Sequence, residues 1–119
     1  MVELLVVIAV IAILASVAIP GVTNIVRNAN ISRDQRNAQS LAQMSSAVRA
    51  AGHSGWATKQ ESITALVAGV EVTNSADHNI VMQFHVDTIT PENQSRASAF
   101  LSSDGASLIY VPTGGQPTN

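Results

Sequence analysis

Positions 4–19 of the 119-residue chain hold only Leu, Val, Ile and Ala apart from Ser16, and no ionisable side chain lies between Glu3 and Arg27. The run has no polar face, so a helix built from it must be surrounded on all sides by apolar material. At about 1.5 Å per residue it spans about 24 Å, close to the hydrocarbon thickness of a bilayer. Its many β-branched residues weigh against a helix in water. In lipid that preference reverses, because a single segment satisfies its own N–H and C=O groups only as a helix. A cleaved secretory signal would open with basic residues and close on small ones, whereas this run opens on Glu3 and continues to Pro20-Gly21. Pro20 lacks a backbone donor and Gly21 loosens the chain, so a break, bend or local melting of the helix is expected around residues 16–22.

Beyond that point the pattern changes. Ile25, Val26, Ala29, Ala38, Leu41, Ala42, Met44 and Val48 recur at spacings of three and four among Asn, Gln, Arg and Ser, which predicts an amphipathic helix ending in a glycine cap at Ala50-Ala51-Gly52. Residues 1–51 would then reach roughly 75 Å, too long for a compact domain, so the rest is expected to pack on the C-terminal half of the helix. A short helix over Lys59–Ala68 follows from the Thr58 cap, Glu61 three residues later, the apolar set Ile63, Leu66 and Val67, and the stop at Gly69. Residues 79–86 alternate and predict a strand burying Ile80, Met82, Phe84 and Val86. Thr90-Pro91-Glu92 opens a second short helix with Ala97, Phe100 and Leu101 on its apolar side. Asp104-Gly105 reads as a turn and residues 107–111 as another strand.

The predicted fold class is therefore α+β: a long N-terminal helix carrying one small antiparallel sheet and short helices on its C-terminal half. Four parts follow along the chain. Residues 1–21 form a membrane or filament-core segment, residues 22–52 an amphipathic helix, residues 53–112 a small globular head and residues 113–119 an exposed tail.

Composition narrows the chemistry. With four aromatic residues, Trp56, Phe84, Phe100 and Tyr110, the core must rest on aliphatic side chains, and without cysteine neither disulfides nor thiolate metal sites are available. None of His53, His78 and His85 sits at a ligand spacing, and Asp87 and Asp104 lack a matching cluster of oxygen donors, so neither metal nor cofactor is expected. No nucleophile elbow accompanies the Ser, Asp and His residues, and Gly114-Gly115 lacks the context of a phosphate cradle, so the chain is not read as an enzyme. The net charge of −2 hides an asymmetry. Arg27, Arg33, Arg36 and Arg49 face only Asp34 between residues 27 and 50, while the remainder carries Lys59 and Arg96 against Glu61, Glu71, Asp77, Asp87, Glu92 and Asp104. The arginines suit a solvated helix face, or an acidic patch on another copy, better than specific nucleic acid. Asn30-Ile31-Ser32 and Asn93-Gln94-Ser95 fit the short glycosylation sequon.

Glu3 is a carboxylate at the edge of the apolar run. Among lipid head groups it costs little, but buried beside apolar neighbours it needs a cation or a proton. The nearest cation in sequence is an N-terminal ammonium, of the same copy or of a neighbour. The string Val2-Glu3-Leu4-Leu5-Val6-Val7-Ile8-Ala9-Val10-Ile11-Ala12-Ile13-Leu14-Ala15, with Ala18-Ile19-Pro20 after it, resembles the N-terminal helix of type IV pilins and of the pseudopilins of type II secretion. The agreement covers residues 1–25 and includes the glutamate, the apolar run and the proline in their spacing.

The resemblance implies a lollipop-shaped subunit. In that family a prepilin peptidase removes a short basic leader, the new N-terminus is usually a methylated phenylalanine, and inner-membrane machinery assembles the subunits into a helical homo-oligomer. Glu3 would pair with the N-terminal amine of an adjacent subunit. Leu4, Leu5, Val6, Val7, Ile8, Ile11, Ile13, Leu14 and Ile19 would leave the membrane for the filament core, and Pro20 and Gly21 would mark the helix break. Family members usually carry Phe-Thr and one further residue ahead of the Val-Glu pair. Met1 is accordingly expected to stand third, with two residues and the leader before it. A basic leader would also reverse the orientation that Arg27 alone implies.

The expected function is a filament subunit, held in the bacterial inner membrane and then exported to a cell-surface or periplasmic filament. The first reading is a pilus-type pilin, with a major pseudopilin of type II secretion as the alternative: the lack of a C-terminal cysteine pair and the small head lean towards the second, and the existence of small cysteine-free pilins offsets that lean. An alternative of a different class is a membrane-anchored periplasmic binding module. The helical core offers no aromatic stack for electron transport, since positions 1–52 hold no aromatic residue.

Overall fold

In the computed structural model the residues described are 1–73, 81–86 and 89–114, and the chain divides into two units, Met1–Ser32 and Arg33–Asn119. The elements are α1 (Val2–Ala50), α2 (Lys59–Ala68), β1 (Val70–Thr73), β2 (Val81–Phe84), α3 (Pro91–Ser98), β3 (Leu101–Ser103) and β4 (Leu108–Tyr110). The fold class is α+β.

Helix α1 continues through Pro20 and Gly21, which corrects the expected break. Proline at that position removes one ladder bond, to the carbonyl of Ser16, but every residue around it keeps helical geometry. Two hydroxyls flank the gap and bond back within the helix: Ser16 Oγ donates to the Ile13 carbonyl at 2.7 Å and Thr23 Oγ1 to that of Pro20 at 3.0 Å. Throughout Met1–Ser32 the side chains are exposed or, at Asn30 and Ile31, half-buried. Ile25, Val26 and Ala29, expected in the buried stripe, are among the exposed ones.

In the second unit the buried stripe of α1 is Asp34, Ala38, Leu41, Ser45 and Val48, a four-three-four-three spacing that keeps one face turned to the core. Its end is a Schellman motif. The N–H of Gly52 donates to the Arg49 carbonyl, that of His53 to the Val48 carbonyl, and Gly52 adopts the φ of +109° that a side chain would disfavour. The caps of α2 and α3 are built as the sequence predicts. Thr58 Oγ1 accepts from Glu61 N–H, Gly69 closes α2, and Thr90 Oγ1 accepts from Asn93 N–H beside Pro91 in the first turn. Buried Ile63 and Leu66 of α2, Ala97 of α3, and Phe100 beyond it complete the aliphatic core with Leu41 and Val48.

The strands depart from expectation. Instead of one sheet there are two separate antiparallel pairs, β1 with β2 and β3 with β4. β1 was not foreseen: Val70 and Val72 point inward in register with Phe84 and Met82. Its partner spans only Val81–Phe84. Val81 and Met82 are exposed, Phe84 is half-buried, and of the expected buried set only Val86 lies in the core, while Ile80 falls outside the described residues. Met82 and Phe84 share the face of Val70 and Val72, but at the edge of a two-stranded ribbon they stay partly open to water. Leu101, expected on the helix α3, instead begins β3, because α3 ends at Ser98 and Lys59 Nζ reaches past it to the carbonyls of Ser98 and Leu101 at 3.0 and 3.2 Å. The Asp104-Gly105 turn is present and β4 narrows to Leu108–Tyr110. Of the predicted tail, Thr113 is exposed but Gly114 packs against the Ala99 carbonyl, and the remainder lies outside the described residues.

Three polar side chains sit inside this apolar core with partners, of which Ser62 donates its Oγ proton to the Thr58 carbonyl at 3.0 Å. Ser45 Oγ accepts the Leu108 N–H at 2.9 Å, tying β4 to α1. Asp34, 6% exposed, accepts from Arg96 Nε at 3.0 Å and meets Arg96 NH2 at the same distance, tying α3 to α1. Asp104 Oδ1 accepts from the N–H groups of Ser107 and Ala106, and those donors hold its carboxyl below the ordinary aspartate value.

Arg96→Ala strands a buried carboxylate. Because Arg96 is itself 38% exposed, water softens the loss, and we expect a destabilisation of about 2 kcal/mol, against about 3 kcal/mol for the cavity left by Leu41→Ala. Urea unfolding followed by Trp56, the one tryptophan, reads both. Asp104 supplies a pH prediction. Its lowered folded value means that its contribution is complete above the ordinary aspartate value and disappears as pH falls through the lowered one. Carboxyl resonances should show Asp104 titrating below the ordinary aspartate value as acid is added, and Asp104→Asn should remove that step.

Candidate functional site

The candidate functional site is a surface of the first unit. Leu4, Leu5, Val6, Val7, Ile8, Val10, Ile11, Ile13, Leu14, Val17 and Ile19 are each about half-exposed or more, and they surround α1 on every side. The best 18-residue window of the helix has mean hydropathy 3.0 and none of it is buried. The helix is thus long and apolar enough to cross a membrane. Removing eleven such side chains from water is favourable by on the order of 10 to 20 kcal/mol, comparable to or above the whole stability of a small domain. Free water is therefore not a lasting environment for this segment.

Polar atoms within the run are arranged to tolerate such burial. Ser16 and Thr23 hydroxyls donate inside the helix, so neither carries an unmet donor into lipid or a dry interface. The Ser16 carbonyl facing Pro20 stands about 20 Å along the axis from Glu3, about two-thirds of the way across the hydrocarbon of a bilayer entered at Glu3.

Glu3 lies in the first turn of α1, exposed, where the helix leaves N–H groups without intrahelical acceptors. Among the described residues it forms no ion pair, within the same chain the N-terminal amine included. Sequence reasoning placed Glu3, the apolar residues and Pro20-Gly21 on one helix, and the structure places them there, without the break. It did not find the Asp34–Arg96 pair. The signal was available: Asp34 falls in register with Ala38, Leu41, Ser45 and Val48, a position where an acid must be matched.

The other candidate residues disperse. His53 stacks on Trp56 with ring centroids 4.6 Å apart, and its Nδ1 accepts from Gly55 N–H, so it serves the loop after α1. His85 borders a groove of about 290 Å³ between Gly69–Glu71 and Gln83, where Glu71 is already engaged by Gln83 Nε2. His78 and Asp87 lie outside the described residues. Among the described residues no group of three or more His, Cys, Asp or Glu side chains is placed to hold a metal ion.

Comparison with known proteins adds no relative: no family model, no curated protein and no solved structure matches the chain.

A surface of this kind binds hydrocarbon whether or not Glu3 is present, since a carboxylate at the end of the run stays among head groups. Glu3→Ala should leave the chain in the membrane fraction after an alkaline carbonate wash. Ile11→Lys, with a charge at the centre of the run, should move a large part of it to the supernatant, at about 3 kcal/mol for a central cation.

Proposed function

We propose that the chain is the structural subunit of a helical filament of pilus type, stored in the bacterial inner membrane through residues 4–19 and polymerised when those residues exchange lipid for the same segment of neighbouring copies. What carries this is one observation: a helical segment, residues 4–19, apolar on every side and exposed, that follows a carboxylate with no ion pair among the described residues. An anchor requires the first feature and not the second. A carboxylate moved from head groups into a dry helix bundle must acquire a cation, and the N-terminal amine of an adjacent copy is the cation that the helix stagger of such a bundle would bring to it. Contacts between different surfaces of identical chains repeat without closing, which yields an open helix. The resemblance of residues 1–25 to pilins supplies the remaining parts: processing by a prepilin peptidase, assembly by inner-membrane machinery, and delivery to the cell surface or periplasm.

In cells carrying a pilus assembly system, the processed chain should appear in filaments sheared from the surface and seen by electron microscopy. Glu3→Ala should reduce the sheared filament by roughly tenfold or more, since a charge pair in a low-dielectric core exceeds the 1.4 kcal/mol that a factor of ten represents. Filaments of normal yield from the Ala variant would refute the pairing. Short periplasmic complexes found only alongside secreted enzymes would assign the chain to a secretion pseudopilus instead. A chain that stays monomeric in the membrane while its head binds a partner would be the anchored module.

A further inference from the structure

The uncharged stretch of α1 is longer than its purely apolar part. Beyond Pro20, which the helix passes without a break, come Gly21, Val22, Thr23, Asn24, Ile25 and Val26, and the first cation is Arg27. Val22, Ile25 and Val26 are each more than half exposed, and the Thr23 hydroxyl is already bonded to the Pro20 carbonyl. One helix runs through all of these residues, so their axial positions follow from its rise of about 1.5 Å per residue. Measured from Glu3, Thr23 stands about 30 Å along the axis, Asn24 about 32 Å and Arg27 about 36 Å. The hydrocarbon of a bilayer is about 30 Å thick, and head groups extend the whole to about 40 to 45 Å. With Glu3 at one boundary, hydrocarbon ends near Thr23 and Arg27 falls within the opposite head-group layer. It does so also at the roughly 20° tilt common for such helices, which shortens its reach to about 34 Å.

Asn24, Arg27 and Asn28 share a face at that level, and all three are exposed. At about 100° per residue, Arg27 lies about 60° to one side of Asn24 and Asn28 about 40° to the other, one turn along. Arg27 forms no ion pair among the described residues, and no acid lies between Glu3 and Asp34, which Arg96 already engages. A guanidinium offers five N–H donors in a planar fork and each amide adds two, a set that matches the oxygens of a phosphate. We propose that the face formed by Asn24, Arg27 and Asn28 binds the phosphate of an anionic phospholipid in the head-group layer where the uncharged stretch ends. The site rests on the membrane-held state proposed above and not on the filament. Continuity with the apolar run selects lipid over a free anion, because the helix that puts its apolar side chains into hydrocarbon brings these donors to the phosphate plane. A zwitterionic head group carries its own cation beside the phosphate, so a net-anionic one is favoured. The aliphatic stem of Arg27 lies along the acyl chains while its head reaches the phosphate. Residues 4–26, and not only 4–19, are then held in lipid, and Arg27 fixes the depth at which the chain sits.

Spin-labelled phospholipids measure this on the full chain reconstituted in phosphatidylcholine vesicles. At about 0.1 M salt the motionally restricted part of the electron paramagnetic resonance spectrum should show labelled phosphatidylglycerol held beside the helix about fivefold more strongly than labelled phosphatidylcholine. The preference should nearly vanish at about 1 M salt, where the screening length falls to about 3 Å. R27Q should abolish it, and N24A/N28A, which keeps the charge, should reduce it to about twofold. R33Q/R36Q, further along α1, should leave it nearly unchanged. All five positions are exposed, and circular dichroism checks that each variant folds as the wild type does. Equal retention of the two lipids by wild type, a preference that survives R27Q or N24A/N28A undiminished, or one lost in R33Q/R36Q would overturn the site. A chain that alkaline carbonate strips from the vesicles would overturn the membrane-held state itself, and the lipid site with it.

Discussion

Everything in this chain is arranged around the need to keep residues 4–19 out of water. No side of that segment is polar, its side chains are exposed, and its apolar area represents free energy comparable to or above the whole stability of a small domain. The segment must be solvated by something else. A bilayer does this, and so does a bundle of identical helices, because lipid tails and aliphatic side chains are alike as apolar surroundings. The exchange between them is therefore nearly neutral for the apolar residues, and small polar features decide its direction.

The charges of Glu3 and of the Asp34–Arg96 pair are met differently. Glu3 forms no ion pair among the described residues, which is what the proposed pairing with a neighbour requires. Asp34 is satisfied internally, fastening α3 to α1 and removing the one acid from an otherwise basic stretch of helix. Lys59 does the same for the other end of α3 through two carbonyls. The core of the second unit is aliphatic and small, with four short strands in two pairs, and these polar fastenings give it a definite arrangement that Leu, Val and Ala alone specify weakly.

Local signals in the sequence were legible where a residue acts alone. Thr58 and Gly69 delimit α2, Thr90 and Pro91 open α3, and Gly52 ends α1 through backbone rules that need no tertiary information. Strand pairing was less legible. Val70–Thr73 is too short for its alternation to stand out, and the apolar pattern of residues 79–86 gives no hint that β2 would lie on the outside of a two-stranded ribbon. Pro20 misled in the other direction: one missing bond does not break a helix whose neighbours on both sides are strongly helical. The apolar surface and Glu3 were visible from the first line, whereas the partner of Asp34 lies 62 residues away and only the fold brings it there.

The account stands on the exchange of lipid for neighbouring copies at the apolar helix. A nitroxide at Ile11, introduced as Ile11→Cys in a chain that has no other cysteine, reports this directly by electron paramagnetic resonance. In the membrane form the label should relax readily with dissolved oxygen and show no dipolar broadening; in sheared filaments oxygen access should fall and broadening between copies should appear. A label that stays accessible to oxygen and magnetically isolated in the filament fraction would contradict the account.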